Sequence, residues 1–219
     1  MVALGACVVA IPIGLSIAIF LSQYLQPKAR IFFKSFLEIL AGVPTVVYGY
    51  LAITLITPKL RTIFPSLEVF NALSACIVVG VMIIPTIASI TQDALESVPR
   101  HLKEAAYGLG GRKYQVALTI ILPAALSGFV ASVILGLSRA IGETMAVTLA
   151  AGATPNLTFN FFESIQTMTS YIVQVSKGDT PSGTIEYQTI FVVGLVLFFM
   201  TLATNLVAKH FVKKLENRY

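Results

Sequence analysis

Arg139 and Glu143 are charged residues within an apolar part of the sequence, and they are the first candidates for chemistry. They lie four positions apart, directly after the uncharged run 114–138, and this spacing places two helical residues on one face, one turn apart. A charge deep in a membrane span costs at least about 2.5 kcal/mol, so such a pair should face a bundle interior or a wet pathway. The residues leave two uses open: an ion pair that joins helices, and a polar site along a pathway.

A second candidate is the polar segment 93–123, which the pattern predicts to contain a short helix. Ser97 can cap this helix, and Pro99 fits its first turn. Gly110 ends the helix, because glycine readily takes the left-handed conformation found at helix ends. The apolar positions at helical spacing are Leu102, Ala105, Ala106 and Leu109. Such a narrow face could dock in a groove of a partner or rest on a bilayer, and the residues alone favour neither.

Motifs for several other chemistries are absent from the sequence. It contains no G-x-x-x-x-G-K-[ST] loop, so it cannot bind nucleotide phosphates by that route. It also has no H-E-x-x-H motif and, within the apolar runs, no Ser–Lys pair and no His/Asp/Glu cluster. We therefore expect no catalytic residue, no metal ligand and no cofactor.

The elements that must position these candidates are membrane spans. The chain is 56% hydrophobic and 11% charged, whereas soluble domains carry about 25% charged residues. This composition excludes a soluble enzyme, a nucleic-acid binder and a disordered tail. Five uncharged runs each reach the roughly 20 residues that a helix needs to cross hydrocarbon. They predict an all-α polytopic bundle with spans A to E at about 2–24, 37–57, 70–92, 123–150 and 187–208.

The cations give this bundle an orientation. If 25–36, 93–122 and 209–219 face the cytoplasm, eleven of the 15 Lys and Arg residues lie inside, as the positive-inside rule requires. The segments 58–69 and 151–186 then lie outside. Within 151–186, which we call the outer segment, the pattern predicts an amphipathic helix over 159–175 that rests on the membrane interface.

Small residues recur every four positions along predicted span D. Gly128, Ser132 and Gly136 form the centre of this stripe, and such stripes let another helix approach closely in a membrane. We interpret them as helix-packing positions, for which a helix of a partner subunit is one candidate.

The segment 93–123 also resembles a known signature. Glu104-Ala105-Ala106, three residues, Gly110, nine residues, Ile120, one residue and Leu122-Pro123 follow the EAA-x3-G-x9-I-x-LP pattern. That pattern marks the permease subunits of binding-protein-dependent ABC importers, which have the MetI-like transmembrane fold. The resemblance implies a cytoplasmic coupling helix held by an ATPase subunit. It implies that Glu104 is a polar anchor, that Ala105 and Ala106 form the close contact, and that Gly110 is a bend.

Two further parts of the sequence resemble phosphate permeases of the PstC type. They are LAGVPTVVYG at 40–49 and LSRAIGETMA at 137–146. The resemblance implies one permease domain over 1–219, with a coupling segment at 93–122 and an extracytoplasmic loop at 151–186. PstC-like permeases normally carry one more N-terminal span, so we expect that span to be missing here.

The resemblance further implies a transport subunit rather than an enzyme. Its partners would be an ATP-binding subunit dimer, a second, PstA-like permease, an extracytoplasmic phosphate-binding protein and the lipid bilayer, in a prokaryotic cell membrane. In this interpretation Arg139 offers planar donors to an oxyanion, and Glu143 accepts a hydrogen bond from a protonated phosphate oxygen. The alternatives are a permease for another oxyanion, such as sulfate, molybdate or phosphonate, and, less favoured, a secondary transporter.

Overall fold

A computed structural model describes residues 1–178, 181 and 183–216. These residues are mostly helical and include no strand, so the all-α prediction is confirmed. The helices in chain order are α1 Val2–Ile19, α2 Pro27–Ala41, α3 Thr45–Leu51, α4 Thr57–Ile63, α5 Ala72–Ser97, α6 Arg100–Gly108, α7 Lys113–Val116, α8 Leu122–Ala124, α9 Leu126–Ile141, α10 Met145–Ala151, α11 Met168–Lys177 and α12 Ile185–Glu216. Single π-helical turns follow α1, α3 and α7 at Phe20–Tyr24, Ala52–Ile56 and Ala117–Ile121.

Length and composition identify the candidate membrane spans. Among the described residues, three continuous helices are long and apolar enough to cross a bilayer: Val2–Tyr24, Ala72–Ser97 and Ile185–His210. Two bent pairs pass the same test if each counts as one span, which brings the number to as many as five. They are Pro27–Ala41 with Thr45–Ile63, and Lys113–Ala124 with Leu126–Ile141. The expectation of a polytopic helical protein with about five spans therefore holds.

Predicted span B is wrong in its bounds and in its continuity. α2 ends at Ala41 and α3 begins at Thr45, with Pro44 in an extended conformation before it (φ −56°, ψ 133°). Proline has no N–H and cannot continue the helical hydrogen-bond ladder, so Pro44 separates two helices where a single helix over 37–57 was expected. Residues 27–36, expected in an inside loop, form most of α2.

Predicted span D is also divided. α9 ends at Ile141 and α10 begins at Met145, so a single helix over 123–150 does not exist. At the N-terminal end of α9, the helical stretch Lys113–Ala124 meets α9 at an angle of 76°. Predicted span D begins at 123, but the helix break falls at Ala125, because Pro123 lies in the first turn of α8, where its missing N–H has no intrahelical partner to lose.

The chain forms two compact units, which we describe separately. Unit 1 comprises Met1–Val9, Val43–Met82 and Leu137–Thr204, and unit 2 comprises Ala10–Gly42, Ile83–Gly136 and the chain from Asn205. Unit 1 contains α3, α4, α10 and α11, and unit 2 contains α2 and α6 to α8.

In unit 1 the outer segment is joined to the start of α5. The amides of Ala72 and Leu73 donate to the carbonyls of Glu163 and Phe161 at 3.1 and 2.8 Å. The first amides of a helix have no intrahelical partner, so these carbonyls satisfy α5 and are not available for a helix of their own. The predicted helix at 159–175 is therefore wrong in its first half. The helix begins at Met168, where the Thr167 hydroxyl accepts a hydrogen bond from the third amide of α11.

In unit 2 the small residues of α9 lie against α5 of the same chain. A Cβ atom at Gly128 would collide with the Cβ of Ala94, and one at Gly136 would lie 3.0 Å from Cγ1 of Ile87. Between these contacts the hydroxyls of Ser132 and Thr91 share a hydrogen bond of 2.7 Å. Because the small side chains let the two backbones approach, α5 occupies the groove for which a partner subunit's helix was one candidate.

Candidate functional site

Glu143 lies beyond the end of α9 instead of one turn further along it. Since α9 ends at Ile141, the expectation that Arg139 and Glu143 share one helix face is wrong. Glu143 is 8% exposed, and its Oε1 accepts a hydrogen bond of 3.1 Å from the amide of Ala146. Its backbone carbonyl accepts another, of 2.9 Å, from the Thr169 hydroxyl. These bonds fix Glu143 to the first turn of α10 and to α11.

Arg139 occupies the last turn of α9 and is half-buried. Its guanidinium is close enough to the hydroxyl of Tyr48, on α3, to act on it electrostatically. Tyr48 is buried. Unit 1 therefore contains a guanidinium, a phenol and a carboxylate, and we call Arg139, Tyr48 and Glu143 the polar site.

The polar site depends on a close contact between α3 and α10. A Cβ atom at Gly49 would lie 2.9 Å from the Cβ of Leu149, which is closer than carbon atoms pack, so only glycine fits there. This contact joins the sequence segments 40–49 and 137–146. Sequence reasoning missed Tyr48 and Thr169 as site residues. A tyrosine beside a glycine within an apolar run was an available signal for the first, whereas no local signal marked the second.

A cavity of about 390 Å³ in unit 1 borders Glu143 of the polar site, whereas Arg139 and Tyr48 are not among its lining residues. Thr167 and Thr169 at the start of α11 and Val147 of α10 also line it. The carboxylate is therefore next to a space large enough for a small solute or several water molecules.

The second candidate, α6, projects most of its side chains into the surroundings. None of its residues is buried. Glu104 and Ala105 are exposed, and Leu109, the residue after the helix, is 91% exposed. Gly110 follows with φ of +82°, a conformation that favours glycine, and its amide donates to the carbonyl of Tyr107 at 2.9 Å. The predicted bend at Gly110 is therefore present as backbone geometry.

Two residues of α6 face their own chain. Ala106 packs against the buried apolar cluster that includes Leu95, and Lys103 Nζ donates to the Leu95 carbonyl at 3.0 Å. Burial lowers the pKa of Lys103, and Glu96 opposes that effect. The predicted apolar face is thus split, because Ala106 supports the helix from within while Ala105 is available to a partner.

Over the part of the chain that the structure describes, no three His, Cys, Asp or Glu side chains cluster closely enough to hold a metal ion. Neither the polar site nor α6 includes such a group.

Comparison with known families and proteins gives consistent matches. The family described as "binding-protein-dependent transport system inner membrane component" matches residues 10–218. The chain is 34% identical over 196 residues to the probable ABC transporter permease protein YqgH of Bacillus subtilis, covering 90% of this chain and 63% of that protein. It is 32% identical over 232 residues to the phosphate transport system permease protein PstC of Pasteurella multocida, covering 97% and 72%. The chain thus spans less than two thirds of the length of YqgH.

Solved structures give the fold. A chain of the MetNI methionine ABC transporter, in inward-facing conformations, superimposes with a TM-score of 0.76 at 16% identity. The alignment covers 98% of this chain and 91% of that one. At this level of identity the likeness extends to the fold alone.

Proposed function

The chain belongs to the family of binding-protein-dependent transport system inner membrane components, and we propose that it is the permease subunit of an importer for inorganic phosphate in a prokaryotic cell membrane. The chain is a multi-pass permease component of the ABC importer class, with the MetI-like fold. Two relatives named phosphate transport system permease protein PstC, which are 28% and 32% identical to this chain, support phosphate as the substrate.

The polar site is the observation that carries the phosphate proposal. Arg139 supplies a planar, permanently charged donor set that suits an oxyanion. Glu143 is held beside the cavity at 8% exposure. A carboxylate there favours an anion that brings a proton, as hydrogen phosphate and dihydrogen phosphate do, because that proton can be donated to it. Sulfate is fully ionised at neutral pH and has no proton to donate, so the Glu143 carboxylate would repel it.

The exposed surface of α6 supports coupling to a motor. We assign Glu104 and Ala105 to the contact with an ATP-binding subunit, Ala106 to support of the helix from beneath, and Gly110 to the turn that follows it. ATP hydrolysis then belongs to that separate subunit dimer, and this chain is a transport subunit, not an enzyme. No cofactor takes part.

The remaining partners follow from the same proposal. A second permease, PstA-like, would complete the pathway, and the two would alternate between outward-facing and inward-facing states. An extracytoplasmic phosphate-binding protein would deliver substrate to the outer segment 151–186. No nucleic acid is involved.

Uptake by the reconstituted complex tests this function. We expect labelled phosphate to enter proteoliposomes when ATP is supplied, and excess sulfate to leave the rate unchanged. Arg139→Ala should abolish uptake while the complex still assembles, and Arg139→Lys should restore part of it. The matched control is Arg61→Ala, because Arg61 is an exposed arginine of α4 in the same unit.

Three results would count against the proposal. Competition by sulfate at the same concentration as phosphate would favour a permease for another oxyanion. Loss of assembly in Arg139→Ala, with uptake unchanged in Arg139→Lys, would assign Arg139 to an ion pair that joins helices. Uptake by this chain without its ATP-binding partner would favour a secondary transporter.

A further inference from the structure

The first membrane helix is the continuous span Val2–Tyr24. Arg30 of α2 connects the end of this helix to the end of α5. Its Nε donates to the carbonyl of Leu21 at 3.0 Å and its Nη2 to the carbonyl of Ser22 at 2.9 Å. Its Nη1 lies 2.9 Å from Oε1 of Glu96. Leu21 and Ser22 lie in the π-helical turn that ends the first helix, where carbonyls lack intrahelical partners. A guanidinium can hold two carbonyls and a carboxylate at once because its donors form a fixed planar fork.

Glu96 is held in turn by a buried neighbour on α5. Gln92 is 2% exposed, and its Nε2 donates to the same Oε1 of Glu96 at 2.9 Å. The side chains of Arg30 and Glu96 are themselves only 24% and 35% exposed. This pair is therefore partly shielded from solvent and has little freedom to rearrange.

A neighbouring ion pair shows the contrast. Lys34 Nζ lies 2.6 Å from Oδ1 of Asp93, also between α2 and α5, but the Asp93 side chain is 57% exposed. Exposed pairs of this kind contribute little, because water and salt screen them. The chain thus provides a matched control for Arg30 on the same two helices.

The last turn of α5 also holds α6. The Leu95 carbonyl, next to Glu96, accepts the hydrogen bond from Lys103 of α6, and Ala106 packs against the cluster around Leu95. Arg30 and Glu96 both act electrostatically on Lys103. One turn of α5 is therefore fixed to α6 through Lys103 and Ala106, and to the first helix through the polar contacts of Arg30 and the apolar contacts of Ala18 and Ile19.

From these contacts, and resting on the proposed transport function, we propose that Arg30 is a positioning residue for coupling. Through Glu96 and the last turn of α5, it makes α6 and the end of the first membrane helix move as one body. A displacement of α6 by an ATP-binding subunit then reaches the first helix directly. Without Arg30, only apolar contacts hold the end of the first helix to α5, such as those of Ala18 and Ile19 in the cluster around Leu95, and the first helix follows α6 less closely.

The first test measures phosphate uptake and ATP hydrolysis in the same proteoliposomes. We expect Arg30→Ala to lower the phosphate transported per ATP about fivefold or more while hydrolysis stays within about twofold of wild type. Arg30→Lys should recover part of the ratio, because one ammonium can reach Glu96 or a carbonyl but not all the acceptors of the guanidinium, which include the Leu25 carbonyl at 3.5 Å. Lys34→Ala should leave the ratio unchanged.

The second test measures the positioning without reference to any substrate. Spin labels at Gln26→Cys and His101→Cys, both exposed positions of unit 2, report the distance between the end of the first helix and α6. The native Cys7 and Cys76 are replaced by alanine beforehand. We expect a narrow distance distribution in the complex with Arg30 and with Lys34→Ala, and a broad one with Arg30→Ala.

The outcomes separate the two proposals. If the wild-type complex takes up no phosphate, the transport proposal fails, and the distance distribution alone decides the role of Arg30. An unchanged ratio together with a narrow distribution in Arg30→Ala would overturn the positioning role. So would an equal loss in Lys34→Ala. If Arg30→Ala does not assemble, Arg30→Lys decides, and a wild-type ratio and distribution in that variant would also overturn it.

Discussion

Gly49 of α3 and Ala146 of α10 are in backbone contact: a Cβ atom at Gly49 would lie 3.1 Å from the Cα of Ala146. The contact joins two segments that are almost 100 positions apart in the sequence, and Glu143 and Tyr48 lie on either side of it. Close packing at this one position therefore determines how the polar site is assembled.

Gly49→Ala should destabilise the protein, because a methyl group in a filled site forces neighbours to shift at a cost of about 1–3 kcal/mol. Thermal denaturation of the purified complex measures this as a lower melting temperature. Gly194→Ala is the matched control, since nothing lies within 4 Å of a Cβ at that position of α12. It should be neutral or slightly stabilising, as alanine favours a helix by about 1 kcal/mol over glycine. Equal melting temperatures for the two variants would contradict the contact.

Glu143→Gln should weaken the discrimination between phosphate and sulfate. Glutamine keeps an oxygen that can accept from the Ala146 amide, so the start of α10 stays capped, but the charge that repels sulfate is gone. Glu143→Ala removes both and should reduce uptake of either anion. The measurement is the sulfate concentration that halves phosphate uptake. If sulfate remains excluded from Glu143→Gln, the carboxylate charge is not the source of selectivity.

Gly110→Ala should weaken association with the ATP-binding subunit. At φ of +82° an alanine is strained by roughly 1–2 kcal/mol, so the turn after α6 would change. Gly108→Ala is a control two residues away, where a Cβ meets nothing within 4 Å and the backbone is helical. Co-purification of the complex, together with its ATP hydrolysis rate, distinguishes the variants. Similar losses in both would mean that the left-handed turn has no special role.

Gly128→Ala should disturb the packing of α9 on α5, and Ala94→Gly should relieve it. The new methyl group would collide with the Cβ of Ala94, so removing that atom makes room again. A double-mutant cycle on the melting temperature is the measurement, with a coupling of about 0.5–3 kcal/mol expected for residues in direct contact. Additive effects of the two substitutions would contradict a direct contact between residues 128 and 94.

The outer segment should lose order in acid. Hydrogen bonds from Asn160 and Thr158 lower the pKa of Glu163, and Asn156 adds a smaller effect. A carboxyl whose pKa falls on folding contributes stability above its unfolded value of 4.5, and this contribution is lost as the pH drops through the folded value. Hydrogen exchange over 154–164 should therefore be constant from pH 7 to pH 5 and faster below pH 4.5, after correction for the intrinsic rate. Glu163→Gln should remove this dependence, whereas Glu186→Gln, at an exposed position of α12, should retain it.

Local patterns predicted the membrane-spanning character of the chain well. The uncharged runs 1–27, 69–92 and 187–208 correspond to continuous helices, because hydropathy and length are sums over neighbouring residues. The turn at Gly110 could also be predicted, since glycine is the residue type that takes such a conformation at little cost. The start of α11 and the divided spans could not be located in this way.

The sequence by itself determined the all-α class, the three continuous candidate spans, and the family signature around Glu104. Only the tertiary structure decided that Glu143 caps α10 instead of continuing α9, that Ala106 faces inward, and that α9 packs on α5. The physical reason is that a helix ends where its unpaired amides and carbonyls find other partners. Those partners, such as the Phe161 carbonyl for α5 or Arg30 for the first helix, come from distant parts of the chain.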